Sequence, residues 1–114
     1  MISIPGIAPN MIANNLEPAY PTHPGEVLKD EIEYRGISQK KLAAEMGVPY
    51  TLLNEVLNGK RPVNTELALL IEAALDLPAE PLLSMQVRYN MLVAKRSVQF
   101  IDKLSRVRRI VAAM

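Results

Sequence analysis

The chain has 114 residues and a net charge of +1; apolar residues make up 49% of it and aromatic residues 4%, with no Trp and a single Phe. That length fits one compact domain with short extensions. Its core must be built from Leu, Ile, Val, Met and Ala, which favours packed helices. The lack of any Cys excludes disulfides, thiol catalysis and thiolate metal sites, and it is consistent with a reducing cytoplasm.

The start, Met1-Ile2-Ser3-Ile4-Pro5-Gly6, has neither the basic opening nor the continuous apolar run of a signal peptide. No stretch approaches the roughly 18 apolar residues of a membrane span. The expectation is a cytoplasmic protein with no membrane partner. Charge is unevenly distributed along the chain: residues 1–37 carry a net −3, 38–63 a net +2, 64–87 a net −4 and 88–114 a net +6. Two positive zones are therefore separated by an acidic one.

In chain order, residues 1–21 read as an N-terminal arm. Pro5, Pro9, Pro18 and Pro21 remove donors and fix φ, so an irregular or extended segment is expected there. The domain proper is expected over 22–94. A first helix is predicted from Pro24 to Arg35, with Gly36 as its stop and Val27, Leu28 and Ile32 on its apolar side. A second covers Gln39 to Met46, with Ser38 as N-cap and Gly47 as terminator. A third covers Pro49 to Leu57. A fourth follows Asn64 to Leu75, with a stripe of Leu67, Leu70, Ile71, Ala74 and Leu75. A fifth runs from Glu80 to Ala94. The last segment, 95–114, reads as an amphipathic helix from Ser97 to Ala113, with Phe100, Ile101, Leu104, Val107 and Val111 on one side; whether Lys95-Arg96 breaks the fifth helix or continues it is open. No segment alternates with period two, so the fold class is all-α.

Residues 38–57 carry the functional signal. Two short helices that cross steeply need a small residue at their contact, a tight turn and a shared core. Ala43, Gly47, and Leu42, Met46, Val48, Leu53 and Val56 supply these in the spacing of a helix-turn-helix. The helix that follows the turn would then enter the DNA major groove. Pro49, Tyr50, Thr51, Leu52 and Glu55 are its expected base-facing positions. Tyr50 and Thr51 can hydrogen-bond or touch a thymine methyl, and Glu55 can accept from cytosine N4. No Arg, Asn or Gln is expected at the base-reading positions. Gln39, Asn58, Lys60 and Arg61 are expected to hold phosphates. With so few phosphate contacts one copy binds weakly at physiological salt, so a homodimer on paired half-sites is implied. A plain helical hairpin in a small bundle, without DNA binding, is the competing explanation of the same apolar spacing.

His23 lacks the partners of a catalytic group and reads as structural at the first helix entry. Asp30, Glu31 and Glu33 read as a solvated face. No catalytic, metal or cofactor constellation is present in the sequence, so no enzyme activity is expected.

The five-helix pattern resembles the Cro/C1-type (XRE) helix-turn-helix family. The order Thr22-His23-Pro24-Gly25-Glu26-Val27-Leu28, then Gly36-Ile37-Ser38-Gln39, then Val56-Leu57-Asn58-Gly59-Lys60-Arg61, then Leu82-Leu83-Ser84-Met85-Gln86-Val87-Arg88-Tyr89-Asn90 resembles the HigA antitoxins of type II toxin–antitoxin modules over residues 22–92. The chain departs from that pattern in three places: Leu82 or Leu83 stands where a Trp is usual, Asn90 where an Asp is usual, and Pro49 where a Ser cap is usual. The resemblance implies a protein that binds and neutralises a RelE-like, mRNA-cleaving toxin (HigB) and represses its own operon by binding promoter DNA as a dimer. An XRE-type transcriptional regulator with no toxin partner shares every feature of residues 38–61.

Overall fold

The structure is a computed structural model, and it describes residues 21–114. The arm expected at residues 1–21 falls, but for Pro21, outside the described residues. Those residues hold six helices and no strand: α1 (Pro24–Tyr34), α2 (Gln39–Met46), α3 (Tyr50–Leu57), α4 (Thr65–Leu75), α5 (Ala79–Arg96) and α6 (Val98–Ala112). None of them is long and apolar enough to cross a membrane.

Each boundary has a local cause. At α1 the His23 side chain accepts from the Gly25 amide at 2.9 Å, and Glu26 accepts from the His23 amide at 3.2 Å. This reciprocal capping box satisfies donors that a helix start leaves open. Ser38 caps α2, accepting from the Lys41 amide. Gly47 ends that helix with φ 70°, a left-handed conformation that costs a glycine little. The turn brings the Val48 amide to the Ala43 carbonyl at 3.0 Å. Pro49 proves to be the N-cap of α3 rather than its first residue, and it makes no side-chain cap bond. Asn64 caps α4 through the Leu67 amide at 2.8 Å.

Pro78 likewise offers α5 no side-chain cap. The Glu72 carboxylate compensates, accepting from the Ala79 amide at 3.2 Å, and α5 begins one residue earlier than expected. Its end is settled at Ser97, whose extended backbone (ψ 113°) interrupts the helix and whose hydroxyl caps α6 at the Phe100 amide. Lys95 and Arg96 therefore belong to α5 and not to the last helix.

The helices close around one core. α2 packs on both α3 and α4, α1 lies against α3, and α5 covers α4 and α1. Leu28, Leu53, Val56 and Leu57 are fully or almost fully buried, with Ile32, Ala68 and Ile71 beside them. Truncating such a Leu to Ala typically costs about 2–5 kcal/mol. Three expected faces are corrected. Val27 is 41% exposed, because α1 turns only Leu28 and Ile32 squarely inward. On α4, Ala68 takes the inward place expected of Ala74, which is exposed, and Leu70 is half-buried. The apolar side of α6 buries none of its residues.

The α1–α3 contact is unusually close. A Cβ added to Gly25 would lie 1.8 Å from the Val56 carbonyl oxygen. Glycine is thus needed here for approach of two backbones, a cause that no local pattern reveals.

Candidate nucleic-acid interface

The helix-turn-helix sits as its spacing predicts. Ala43, 1% exposed, is buried within the core, and Leu42, Met46, Leu53 and Val56 surround it. With Leu53, Val56 and Leu57 turned inward, the 3.6-residue period puts Thr51, Asn54, Glu55 and Asn58 on the outer side of α3. Tyr50 stands at the N-terminal end of that side, 42% exposed, with the Lys40 ammonium 5.7 Å from its ring centre.

The structure ties several of these side chains together. Asn54 donates to the Gln39 carboxamide oxygen at 3.1 Å. Asn58 donates to the Asn54 carbonyl at 2.9 Å and to its side-chain oxygen at 3.3 Å. Lys29 donates to the Asn58 side-chain oxygen at 3.2 Å. One hydrogen-bonded chain thus runs from α1 across α3 to the start of α2. It fixes Gln39 where the open amides and positive dipole end of α2 suit a phosphate. Asn54 was missing from the expected site, and an Asn does stand on the outer side of this helix. The signal was available: Asn54 and Asn58 are four residues apart, and Asn54 lies three after Thr51. Its amide is committed to Gln39, so it organises the face.

Two expected contacts take other partners. Leu52 is half-buried against the core and lines a pocket with Leu67 and Leu70 of α4. Glu55 binds Arg61, with its Oε1 2.9 Å from Nε and 2.8 Å from Nη2. Arg61 is thereby held beside the C-terminal end of α3, next to exposed Lys60. Pro49, Tyr50, Thr51 and Asn58 remain exposed, and Gln39 is half-exposed.

Behind this face lies a buried polar joint. His23 is 2% exposed and meets the Tyr89 ring edge-on at 4.8 Å between centroids. Burial pushes the imidazole below its ordinary pKa of 6.5, partly opposed by the Glu26 carboxylate and by a backbone hydrogen bond with Arg61. Because the ring nitrogen Nδ1 accepts from Gly25, the neutral form fits the site. Gln86, also buried, accepts from the Val63 amide at 2.8 Å and donates to Asn90 at 3.0 Å. The Gln86–Tyr89–Asn90 pattern therefore secures the loop after α3 against α5, and His23 is structural as expected. Among the described residues no group of His, Asp or Glu could hold a metal ion.

An amphipathic helix backed by a firm core, offered N-terminus first and followed by two cations, defines a helix-turn-helix DNA-binding protein. Residues 28–82 match the helix-turn-helix family model. The chain is 30% identical over 81 residues to virulence-associated protein I of Dichelobacter nodosus, covering 70% of this chain and 75% of that one. It superposes with a TM-score of 0.64 and 29% identity on an addiction module antidote protein of the HigA family from Coxiella burnetii, covering 74% of this chain and 94% of the other. The Pseudomonas aeruginosa antitoxin HigA, solved with the higBA promoter, gives a TM-score of 0.62 and 28% identity over 65% of this chain and 82% of its own. The chain belongs to the Cro/C1-type helix-turn-helix family and is similar to its HigA-type antitoxins.

Proposed function

We propose that this protein represses its own operon by seating α3 in the major groove of promoter DNA, and that it binds and neutralises a RelE-like toxin of the HigB type. The observation that carries the DNA half is the Gln39–Asn54–Asn58–Lys29 chain. It holds the N-terminus of α2 and the outer face of α3 in one fixed relation before any ligand arrives. Such preorganisation lowers the ordering cost of binding.

In this assignment Thr51 and Tyr50 meet base edges, and Pro49 packs where the chain enters the groove. Gln39, Asn58, Lys60 and Arg61 hold phosphates. Leu52 serves the core, and Glu55 holds Arg61. Dimerisation supplies the affinity that so few phosphate contacts per copy cannot. The toxin half rests on kinship with HigA antitoxins. The working location is the cytoplasm.

A gel-shift titration of the protein on its own promoter fragment tests the first half; absence of any shift at low salt with folded protein would refute it. Co-expression with the neighbouring gene product tests the second. Recovery of a stable complex that relieves growth arrest supports an antitoxin. A folded neighbour that never co-purifies leaves a regulator without a toxin.

A further inference from the structure

His23 meets three elements at once. Its Nδ1 accepts from the Gly25 amide at 2.9 Å and caps α1. Ser, Asp or Asn would cap as well, so capping explains only one edge of the ring. The other edge faces the loop that follows α3. There the ring hydrogen-bonds the Arg61 backbone, and this contact favours the protonated ring, as an accepting carbonyl does and a donating amide does not. With Nδ1 committed to Gly25, the donor is Nε2–H. Gly59, with φ 74°, rests on the same side chain: a Cβ there would lie 3.7 Å from the Cβ and Cγ of His23. Tyr89 of α5 meets the ring edge-on.

This loop carries Lys60 and Arg61, two of the expected phosphate contacts. At the surface Glu55 pairs with Arg61 and Lys29 bonds Asn58. From within, the backbone is pinned by two buried side chains: His23 holds the Arg61 carbonyl and Gln86 holds the Val63 amide. Gln86 does not titrate. His23 does, and in a chain with one His and no Cys it is the one side chain that ordinarily changes charge between pH 5 and 8.

The neutral ring suits both partners, because it accepts at Nδ1 and donates at Nε2. A proton on Nδ1 sets donor against donor across the 2.9 Å to the Gly25 amide. The ring must then shift, and the loop loses one of its two inner supports. Charged groups face the ring from each element packed on it. On α1, Glu26 accepts from the His23 amide and favours the proton, but burial outweighs it. The loop brings Lys60, exposed, and Arg61, paired with Glu55. From α5 come Tyr89 and, beside Thr22, Arg88.

We propose that His23 is a positioning residue for the phosphate-holding loop, and that protonating it loosens Lys60 and Arg61 and weakens promoter binding. Acid thus acts behind the DNA face and not on it. The proposal rests on the DNA-binding reading under Proposed function and adds a means of regulating that site. Its sign sets it apart from simple electrostatics: a positive charge added near phosphates tightens binding, whereas a displaced loop weakens it.

Fluorescence anisotropy of the full chain on its promoter fragment and on a scrambled duplex tests this from pH 7.5 to 5.5 at constant ionic strength, with circular dichroism confirming the fold at each pH. Affinity for both duplexes should fall together on acidification, by at most about tenfold per pH unit because one proton is involved. His23→Asn keeps an acceptor in the place of Nδ1 but lacks the Nε2 donor, so it should bind more weakly at pH 7.5 and show no further decline. Affinity that stays level or rises in the unmodified chain would overturn the proposal, as would a His23→Asn chain that keeps the decline. A second measurement needs no variant. Coupling is reciprocal, so by NMR the one imidazole of the chain should titrate at lower pH with the duplex bound than without it; an unchanged or raised titration would also overturn the proposal. No binding at pH 7.5 and low salt refutes the DNA reading and this inference with it, whereas binding without the acid response sinks the inference alone.

Discussion

Replacing Gly25 by Ala isolates the backbone contact that sets the recognition helix against the rest of the domain. The new Cβ would lie 1.8 Å from the Val56 carbonyl oxygen and 2.8 Å from its carbon. Neither atom belongs to a side chain that could swing aside. To reach 3.0 Å, below which real Cβ contacts essentially never fall, α1 and α3 must part by the difference of 1.2 Å. Overpacking of this kind costs about 3 kcal/mol or more. The gain from Ala over Gly in a helix, at most about 1 kcal/mol, offsets only part of it. The expected net loss is about 2 kcal/mol, or a fall in Tm of about 8–16 °C for a domain of this size. Urea and thermal unfolding followed by circular dichroism would measure it. Gly36→Ala is the control: it meets nothing within 4 Å but has φ +69°, so it should cost only the left-handed penalty of about 1–2 kcal/mol. A Gly25→Ala protein as stable as the parent would refute the close-approach account.

Six further substitutions, in four tests, address the interface and its support. Thr51→Ala should alter which promoter sequences are preferred, whereas Arg61→Ala should weaken binding to all of them and lower the salt slope by about 1; equal, uniform losses would refute the orientation of α3. Glu55→Gln removes the carboxylate that neutralises Arg61, so fluorescence anisotropy should show tighter binding to operator and scrambled duplex alike, with a steeper salt dependence. Selective loss on the operator would instead assign Glu55 to a base. His23 has its pKa lowered in the folded state, so below pH 6.5 the unfolded chain takes up more protons than the native one. Stability is complete above pH 6.5 and falls as pH drops through the native pKa; His23→Asn should flatten that decline in urea titrations at successive pH values. Gln86→Leu strips the buried Val63 amide of its acceptor and should cost about 1–3 kcal/mol in the same assay, while Val87→Ala, at an exposed site, should cost little.

What the sequence determined by itself was local. Ser38, Gly47 and Asn64 act within a few residues, as caps and turn, and so their roles were legible. The spacing of Ala43, Gly47, Leu53 and Val56 was equally clear, because a helix period fixes which residues share a face. Tertiary structure decided the rest. Periodicity could not say that Val27 stays exposed, since that depends on how α1 lies across α3. It put Leu52 and Glu55 on the outer part of α3, but only the fold shows that Leu52 packs partly against the core and that Glu55 pairs with Arg61. Asn54 gained its role from Gln39, fifteen residues away, and Gly25 from Val56. Only the folded chain leaves the apolar side of α6 without a cover, because whether an apolar stripe is buried depends on what the break at Ser97 lets it reach.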